Sequence, residues 1–347
     1  MRLKRIVRVL PAVFIATLGL AACGGSSTPA ASNAPTDVRL GYFPNITHAT
    51  ALVGVANGSY AQELGSLGSL KTQTFNAGPA AIEALLSGSI DMTYVGPNPA
   101  VNGYIQSHGS AVRVVAGATS GGASLVVKKS ISAPADLRGK KLASPQLGGT
   151  QDVSLRYWLG QQGLKTDTSG GGDVAIIPQD NAQTLQAFQS GAIDGAWVPE
   201  PWASRLVQDG GGKVLVDERS LWPGGDFVST LLIVRKDFLD QHPAQVKAIL
   251  RAQVKTTDYL VAHPADAEKI ANDQIAKLTG KALKAATIAS AWDHQKFTND
   301  PLATTLRVDI QHAQKVGLLK STDISHLFDL TLLNQVLKDS GEAPVAA

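Results

Sequence analysis

An α/β chain of two related lobes with a helical C-terminal third is the architecture this sequence predicts, and three observations carry it. A unit occurs twice: Ser87-Gly88-Ser89-Ile90-Asp91, continuing through Tyr94-Val95 to Gly96-Pro97-Asn98-Pro99, returns as Ser190-Gly191-Ala192-Ile193-Asp194, Trp197-Val198 and Pro199-Glu200-Pro201-Trp202. In each copy a short strand enters a helix, the helix stops at Ser-Gly, and a second strand runs through Ile-Asp into a Pro-rich turn. From Asp37 to Arg235, β-rich runs alternate with helical ones, the mark of an α/β layout. Beyond Arg235 the apolar spacing is helical almost throughout. With 347 residues and 44% apolar content, the chain exceeds what one core usually supports.

The elements follow in order. Strands are expected at 38–42, 71–75, 90–95, 112–116, 124–127, 141–143, 174–177, 193–198, 213–216 and 230–234. Helix starts sit between them: Thr47 before 49–64, Gly78-Pro79 before 80–86, Thr150 before 151–162, and Asp180 before 181–189. The C-terminal helices are expected at 243–262, 264–278, 282–292, 301–316 and 331–339. Their charges, Lys247, Arg251, Lys255 and Asp258 among them, read as solvated faces.

Residues 1–22 read as a secretion signal. Arg2, Lys4, Arg5 and Arg8 precede an apolar run too short to span a bilayer comfortably, and Leu20-Ala21-Ala22-Cys23 closes it. Those cations account for the net charge of +3, and the remainder is near neutral. Without a Lys/Arg run, nucleic-acid binding has little electrostatic support. Cys23 is the only cysteine, which excludes internal disulfides and cysteine-based metal sites. Residues 23–36, rich in Gly, Ser, Pro and Ala, read as a flexible tether whose reach is roughly 20 Å.

In open α/β sheets ligands sit beyond the carboxyl ends of strands, where helix N-termini turn unpaired N–H groups outward. The sequence offers several such loops: Pro44 to His48, Ala77-Gly78-Pro79, Gly96-Pro97-Asn98-Pro99, Leu147-Gly148-Gly149-Thr150-Gln151, Gln179-Asp180-Asn181 and Val198-Pro199-Glu200-Pro201. Any one of them alone is an ordinary turn or cap. Their recurrence at equivalent points of both lobes makes the case for a shared ligand space. Asn45, Gly78, Asn98, Gly149, Thr150, Gln151 and Glu200 are the expected contacts, suited to a small anion. Glu200 has two readings, a cap on the following helix or a partner for a cationic ligand group. Asp91 and Asp194 brace the turns leaving their helices. Trp202 and Trp222 lie in loops that could cover a ligand, and His48 is the histidine nearest the expected cleft. No G-x-S-x-G elbow, phosphate loop or H-E-x-x-H pair occurs, so neither catalysis, metal nor cofactor is expected.

Leu40-Gly41-Tyr42, Ala77-Gly78-Pro79, Glu83 to Asp91, Ala133 to Lys140 and Phe188 to Asp194 together resemble the solute-binding lipoproteins of ABC importers. Within these they are similar to the nitrate, aliphatic sulfonate and taurine group, related to thiamine-precursor binders. Leu20-Ala21-Ala22-Cys23 resembles a lipobox, which implies a lipid on Cys23 and an extracytoplasmic position on the cell membrane. The resemblance implies a two-lobe periplasmic-binding-protein (type II, Venus-flytrap) fold. Lobe 1 would comprise 37–125 and 232–341, and lobe 2 would comprise 126–231, with crossovers near 124–128 and 228–234. It implies a monomer that closes on a small solute and docks on a permease served by a separate ATPase. The solute expected is sulfonate-, taurine- or nitrate-like. The alternative is a thiamine-precursor pyrimidine or another planar heterocycle, against Trp202, Trp222 and His48; a cleft enzyme is the remaining reading.

Overall fold

The computed structural model describes residues 34–320 and 323–347. The expected signal segment and Cys23 lie outside the described residues. Strand β1 (Val38–Tyr42) leads through a single turn, Ile46–His48, into α1 (Ala49–Ala56) and α2 (Ser59–Leu64). Next come β2 (Leu70–Thr74), α3 (Gly78–Leu86), β3 (Met92–Val95), α4 (Pro97–Gln106) and β4 (Val112–Gly121). The chain then builds β5 (Ala123–Val127), β6 (Lys141–Ser144), α5 (Thr150–Gln161), β7 (Ala175–Pro178), α6 (Asn181–Gln189), β8 (Gly195–Pro199), α7 (Trp202–Gln208) and β9 (Lys213–Asp217). It returns through β10 (Val228–Arg235), α8 (Lys236–Gln241), α9 (Pro243–Ala262), α10 (Pro264–Thr279), α11 (Ala285–Asp293), β11 (Gln295–Phe297), α12 (Ala303–Lys315) and α13 (Thr331–Asp339).

Two mixed sheets result, ordered β11-β4-β10-β3-β1-β2 and β7-β6-β8-β5-β9. In each, two parallel pairings (β1 with β2 and β3; β6 with β7 and β8) are extended by antiparallel strands. One face of the first sheet buries α1, α2, α9, α10 and α13 over a core that includes Tyr42, Leu52 and Ile249; the other buries α3, α4 and α12 over Ile82, Val101 and Ile310. The second sheet packs α5 on Leu155 and Trp197, and α6 and α7 on Phe188 and Leu206.

The duplicated Ile-Asp has the same job in both sheets. Asp91 accepts the Arg39 backbone N–H and side chain at the start of β1, and Asp194 accepts the Lys141 N–H at the start of β6 and the Lys128 ammonium. Gly88 and Gly191 hold φ of 75° and 79°, the left-handed turn that ends a helix and that only glycine adopts freely. Both aspartates therefore clasp the strand starts, at the opposite end of the sheets from the expected ligand loops.

Some expectations change. The single helix expected over 49–64 is interrupted at Asn57-Gly58, with Gly58 at φ 72°. Gly96-Pro97-Asn98-Pro99, expected as a turn, instead begins α4: prolines in a first helical turn forfeit N–H groups that have no intrahelical acceptor anyway. The three-residue strand β11 carries no sequence signal of its own. The chain passes between sheets at Gly121-Gly122 and at Asp226-Phe227, just ahead of the expected 124–128 and 228–234 respectively. The two passages touch, Gly121 N–H donating to Phe227 O at 3.1 Å. Gly121 and Gly122 both hold positive φ, 81° and 76°.

Helices α11 and α12 pack on the first sheet and also reach the second-sheet helices. Thr287 Oγ1 bonds Gln208 Oε1 at 2.7 Å, and the His312 ring stacks on Tyr157 with centroids 3.6 Å apart. Beneath them Glu218, 3% exposed, accepts from Ser154 Oγ at 2.8 Å and Trp197 Nε1 at 2.7 Å. Burial raises its carboxyl from 4.5 to about 7. The native protein thus holds a proton that the unfolded chain releases, and stability falls as pH rises across that window. The full loss is about 3 kcal/mol above the upper value. Glu218→Gln mimics the protonated group, so it is expected to be more stable than wild type at pH 8.5 and little different at pH 4.5. Urea unfolding at the two pH values checks this. The comparison of wild type with variant isolates Glu218 from the other buried groups: Asp309 on α12, whose carboxyl burial also raises, and His48 and His312, whose pKa values burial lowers to about 3 and about 4 and whose slope therefore has the opposite sign.

Candidate functional site

The loops at the carboxyl ends of β1, β3, β6 and β8 face one another across a cavity of about 40 Å³. At roughly 10–15 Å³ per water site, that is room for about three waters or one small ion. Its walls come from both sheets: Asn45, Thr47, His48, Asn76, Gly78, Gly96 and Ser229 from the first, Gln146, Gly149, Thr150, Gln151 and Asn181 from the second. No Lys, Arg, Asp or Glu side chain is among them.

Helices α3, α4, α5 and α6 all begin at this wall, and none of their N-cap residues makes a side-chain capping bond. In α5 and α6 the first N–H groups, those of Thr150, Gln151 and Asn181, have no intrahelical acceptor and remain to be satisfied. Each terminus carries partial positive charge, so the cavity is electropositive without containing a cation. The turn before α5 is held from below. Asp152, fully buried, accepts Ser144 Oγ at 2.7 Å, Gly148 N–H at 3.0 Å and Arg156 Nε at 3.0 Å.

The sheets meet directly at the rim. Trp202 Nε1 donates to Asn45 Oδ1 at 2.9 Å, and because an indole nitrogen only donates, this fixes the Asn45 amide with Nδ2 free. Asn76 Nδ2 reaches Asp180 Oδ2 at 3.5 Å. Gly96 lies so close to Thr150 that an added Cβ would stand 2.2 Å from Thr150 Oγ1.

His48 is 3% exposed, stacked on Phe43 at 4.3 Å with Tyr94 against its edge. Its Nδ1 accepts the Phe43 N–H at 3.3 Å. Burial lowers its pKa to about 3, so the ring is neutral.

Of the residues expected at the site, the structure brings together Asn45, His48, Gly78, Gly149, Thr150 and Gln151. Three do not line the cavity. Glu200 is buried and turned away, its Oε2 accepting the Ser204 N–H at 3.0 Å inside the first turn of α7 and its Oε1 lying 3.1 Å from His294 Nδ1. Of its two readings, the helix cap is the one realised, and the contact raises the His294 pKa. Asn98 is the second residue of α4, 4% exposed, and its side chain is buried beside the first turn instead of lining the cavity. Trp222 stacks on Phe227 at 5.6 Å and packs on the second-sheet core, where apolar burial outweighs any role over the cavity. Asn76, Gln146 and Ser229 were missed from the sequence, and Thr47 lay in the expected Pro44 to His48 loop without being singled out. Asn181 had a signal, as the first residue after a strand and an Asp N-cap; Ser229, mid-strand in β10, had none.

Two α/β lobes meeting over a cavity at their strand ends form the two-lobe periplasmic-binding-protein fold, and solved structures share it. The periplasmic nitrate-binding protein NrtA from Synechocystis PCC 6803 superposes with a TM-score of 0.75 at 18% identity, covering 88% of this chain and 90% of that one. The alkanesulfonate-binding protein SsuA from Xanthomonas axonopodis pv. citri, bound to MOPS, gives 0.71 at 20% identity, covering 86% and 99%. In sequence, the chain is similar to the taurine-binding periplasmic protein of Escherichia coli K12, 31% identical over 217 residues. That match covers 62% of this chain and 64% of the relative, so it spans somewhat less than two thirds of each. The chain belongs to the NMT1-like family, whose profile matches residues 31–275.

Proposed function

We propose that this protein is the extracytoplasmic solute-binding component of an ABC importer, and that it captures a small oxyanion or sulfonate between its lobes. The observation that carries the reading is the convergence of four helix N-termini on a cavity with no charged side chain. Such a cavity offers N–H donors and partial positive charge to an anion, and no carboxylate to a cation. The taurine-, alkanesulfonate- and nitrate-binding relatives support the same ligand class. The turned-away Glu200 removes the repulsion that a carboxylate in the wall would impose. A cavity near 40 Å³ accommodates a headgroup better than a pyrimidine ring, and Trp222 is not there to stack on one.

In this reading each sheet with its helices is one lobe, and the paired passages at Gly121-Gly122 and Asp226-Phe227 are the hinge. Ligand favours the closed form because only that form lets both lobes touch it. The closed monomer then delivers the solute to a permease driven by a separate ATPase. The lipobox-like Leu20 to Cys23 would tether it to the outer face of the cell membrane.

A thermal-shift panel of nitrate, methanesulfonate, taurine, bicarbonate and an aminopyrimidine tests the ligand class. At a hundredfold excess over Kd, binding adds about 2.7 kcal/mol, so at least one anion is expected to raise the melting temperature by several degrees. Stabilisation by the aminopyrimidine alone, or by no member of the panel, would overturn the reading.

A further inference from the structure

We propose that His48 is a specificity-determining ligand contact, locked by its own chain in the neutral tautomer that presents an Nε2–H to the bound anion, so that the anion is recognised by one fixed hydrogen bond rather than by a charge. The proposal deepens the anion reading above and rests on it.

The argument is geometric. A neutral imidazole carries one proton, and the nitrogen that accepts a hydrogen bond is the one without it. Nδ1 accepts the Phe43 N–H, so the proton is on Nε2. The ring is almost wholly buried, yet it lines the cavity, and Nε2 has no hydrogen-bond partner in the protein among the described residues. Its donor therefore opens onto the cavity, where a ligand acceptor atom could take the place of solvent. Stacking on Phe43 and the edge of Tyr94 prevent the ring from turning elsewhere.

The surroundings keep the ring uncharged. The Tyr94 phenol, bonded to Tyr60 and Gln253, is itself pushed up by burial and stays protonated. Helix α11 also packs on the Ile46–His48 turn. At its end the Asp293 carbonyl accepts from Arg219, and His294 faces Glu200. Strands β4 and β10 offer only Thr119 and Ser229 on this side, one donating to Thr47 O and the other to Thr119 O. Among the described residues, no carboxylate is positioned to draw a second proton onto His48. A ligand that placed an N–H or O–H against Nε2 would meet donor against donor and be rejected. A nitrate or sulfonate oxygen fits.

Two measurements decide it. Nitrogen-15 NMR of the ligand-free protein is expected to show His48 as the Nε2–H tautomer, without titration between pH 8 and 5. Calorimetry with nitrate, methanesulfonate and taurine, whose acid groups stay ionised throughout, reads the contact itself. Both His48→Gln and His48→Phe lose the Phe43 contact, but the glutamine amide keeps a donor near the Nε2 position. His48→Phe is therefore expected to weaken whichever anions bind by at least about tenfold, and His48→Gln by only a few-fold. Circular dichroism checks that both fold; should His48→Phe fail to do so, His48→Gln and the tautomer still decide. A proton on Nδ1, a titration near the ordinary pKa, or equal affinities for the two variants would overturn the assignment while leaving the anion reading intact. If no anion binds the wild-type protein, the anion reading itself fails and this assignment with it.

Discussion

Asp152→Ala is expected to destabilise the second lobe by about 3–5 kcal/mol, the usual result of removing one member of a buried ion pair. Asp152 is fully buried and Arg156, one turn along α5, is 3% exposed, so the guanidinium would be left without its counter-charge and without water. The same substitution orphans Ser144 Oγ and the Gly148 N–H. The second loss reaches the cavity, because Gly148 leads into Gly149, Thr150 and Gln151, which line it. Asp152→Ala should therefore lower both the denaturant midpoint and the affinity for whichever anion the panel identifies. Asp152→Asn, which keeps the shape and one acceptor, should lose less of each. Equal stability of wild type and Asp152→Ala in urea unfolding would remove this pair as a support of the site.

Gly96→Val is expected to leave the unliganded protein about as stable as wild type and to weaken ligand binding by about 5- to 150-fold, the equivalent of 1–3 kcal/mol of overpacking. The backbone at Gly96, φ −69° and ψ 161°, suits any residue, so no strain arises there. Within its own sheet the nearest atom to an added Cβ is Ser229 O at 3.6 Å, an ordinary contact. The clash lies across the cleft, with Thr150 Oγ1 at 2.2 Å and Thr150 Cβ at 3.3 Å. In the proposed function this approach of the lobes is the closed form, so the cost would fall on that form alone, and a substitution that penalises one of two states shifts the equilibrium by that penalty. Small-angle scattering should show the variant remaining extended at ligand concentrations that compact the wild type. Pairing it with Thr150→Ala should restore part of the affinity. Unchanged affinity in Gly96→Val would show that the approach of Gly96 to Thr150 is not needed for binding.

The order of the elements was largely legible in the chain. The Ser-Gly helix ends were readable because glycine in the left-handed region is a local requirement, met at Gly88 and Gly191. The ten expected strands were readable from β-rich runs between turn residues, and all occur within a few positions. Failures came where local signals conflict. Pro97 and Pro99 read as a turn although a first helical turn tolerates both, and the long apolar run after Thr47 concealed the break at Gly58. Gln295–Phe297 is a strand only because β4 offers it an edge.

The site was legible as a set of loops and much less so as a set of side chains. Gly149, Thr150 and Gln151 face the cavity because they begin a helix after a strand, which the sequence states. Glu200 follows a strand in the equivalent place and faces away, since Ser204 and His294 supply it with hydrogen-bond partners outside the cavity. The sequence by itself therefore determined two sheets, their helices and the loops that would converge. Which side chains of those loops meet was decided only by the tertiary structure, as with Trp202 and Asn45, or His48 and the cavity, because hydrogen-bond partners and packing surfaces come from segments far apart in the chain.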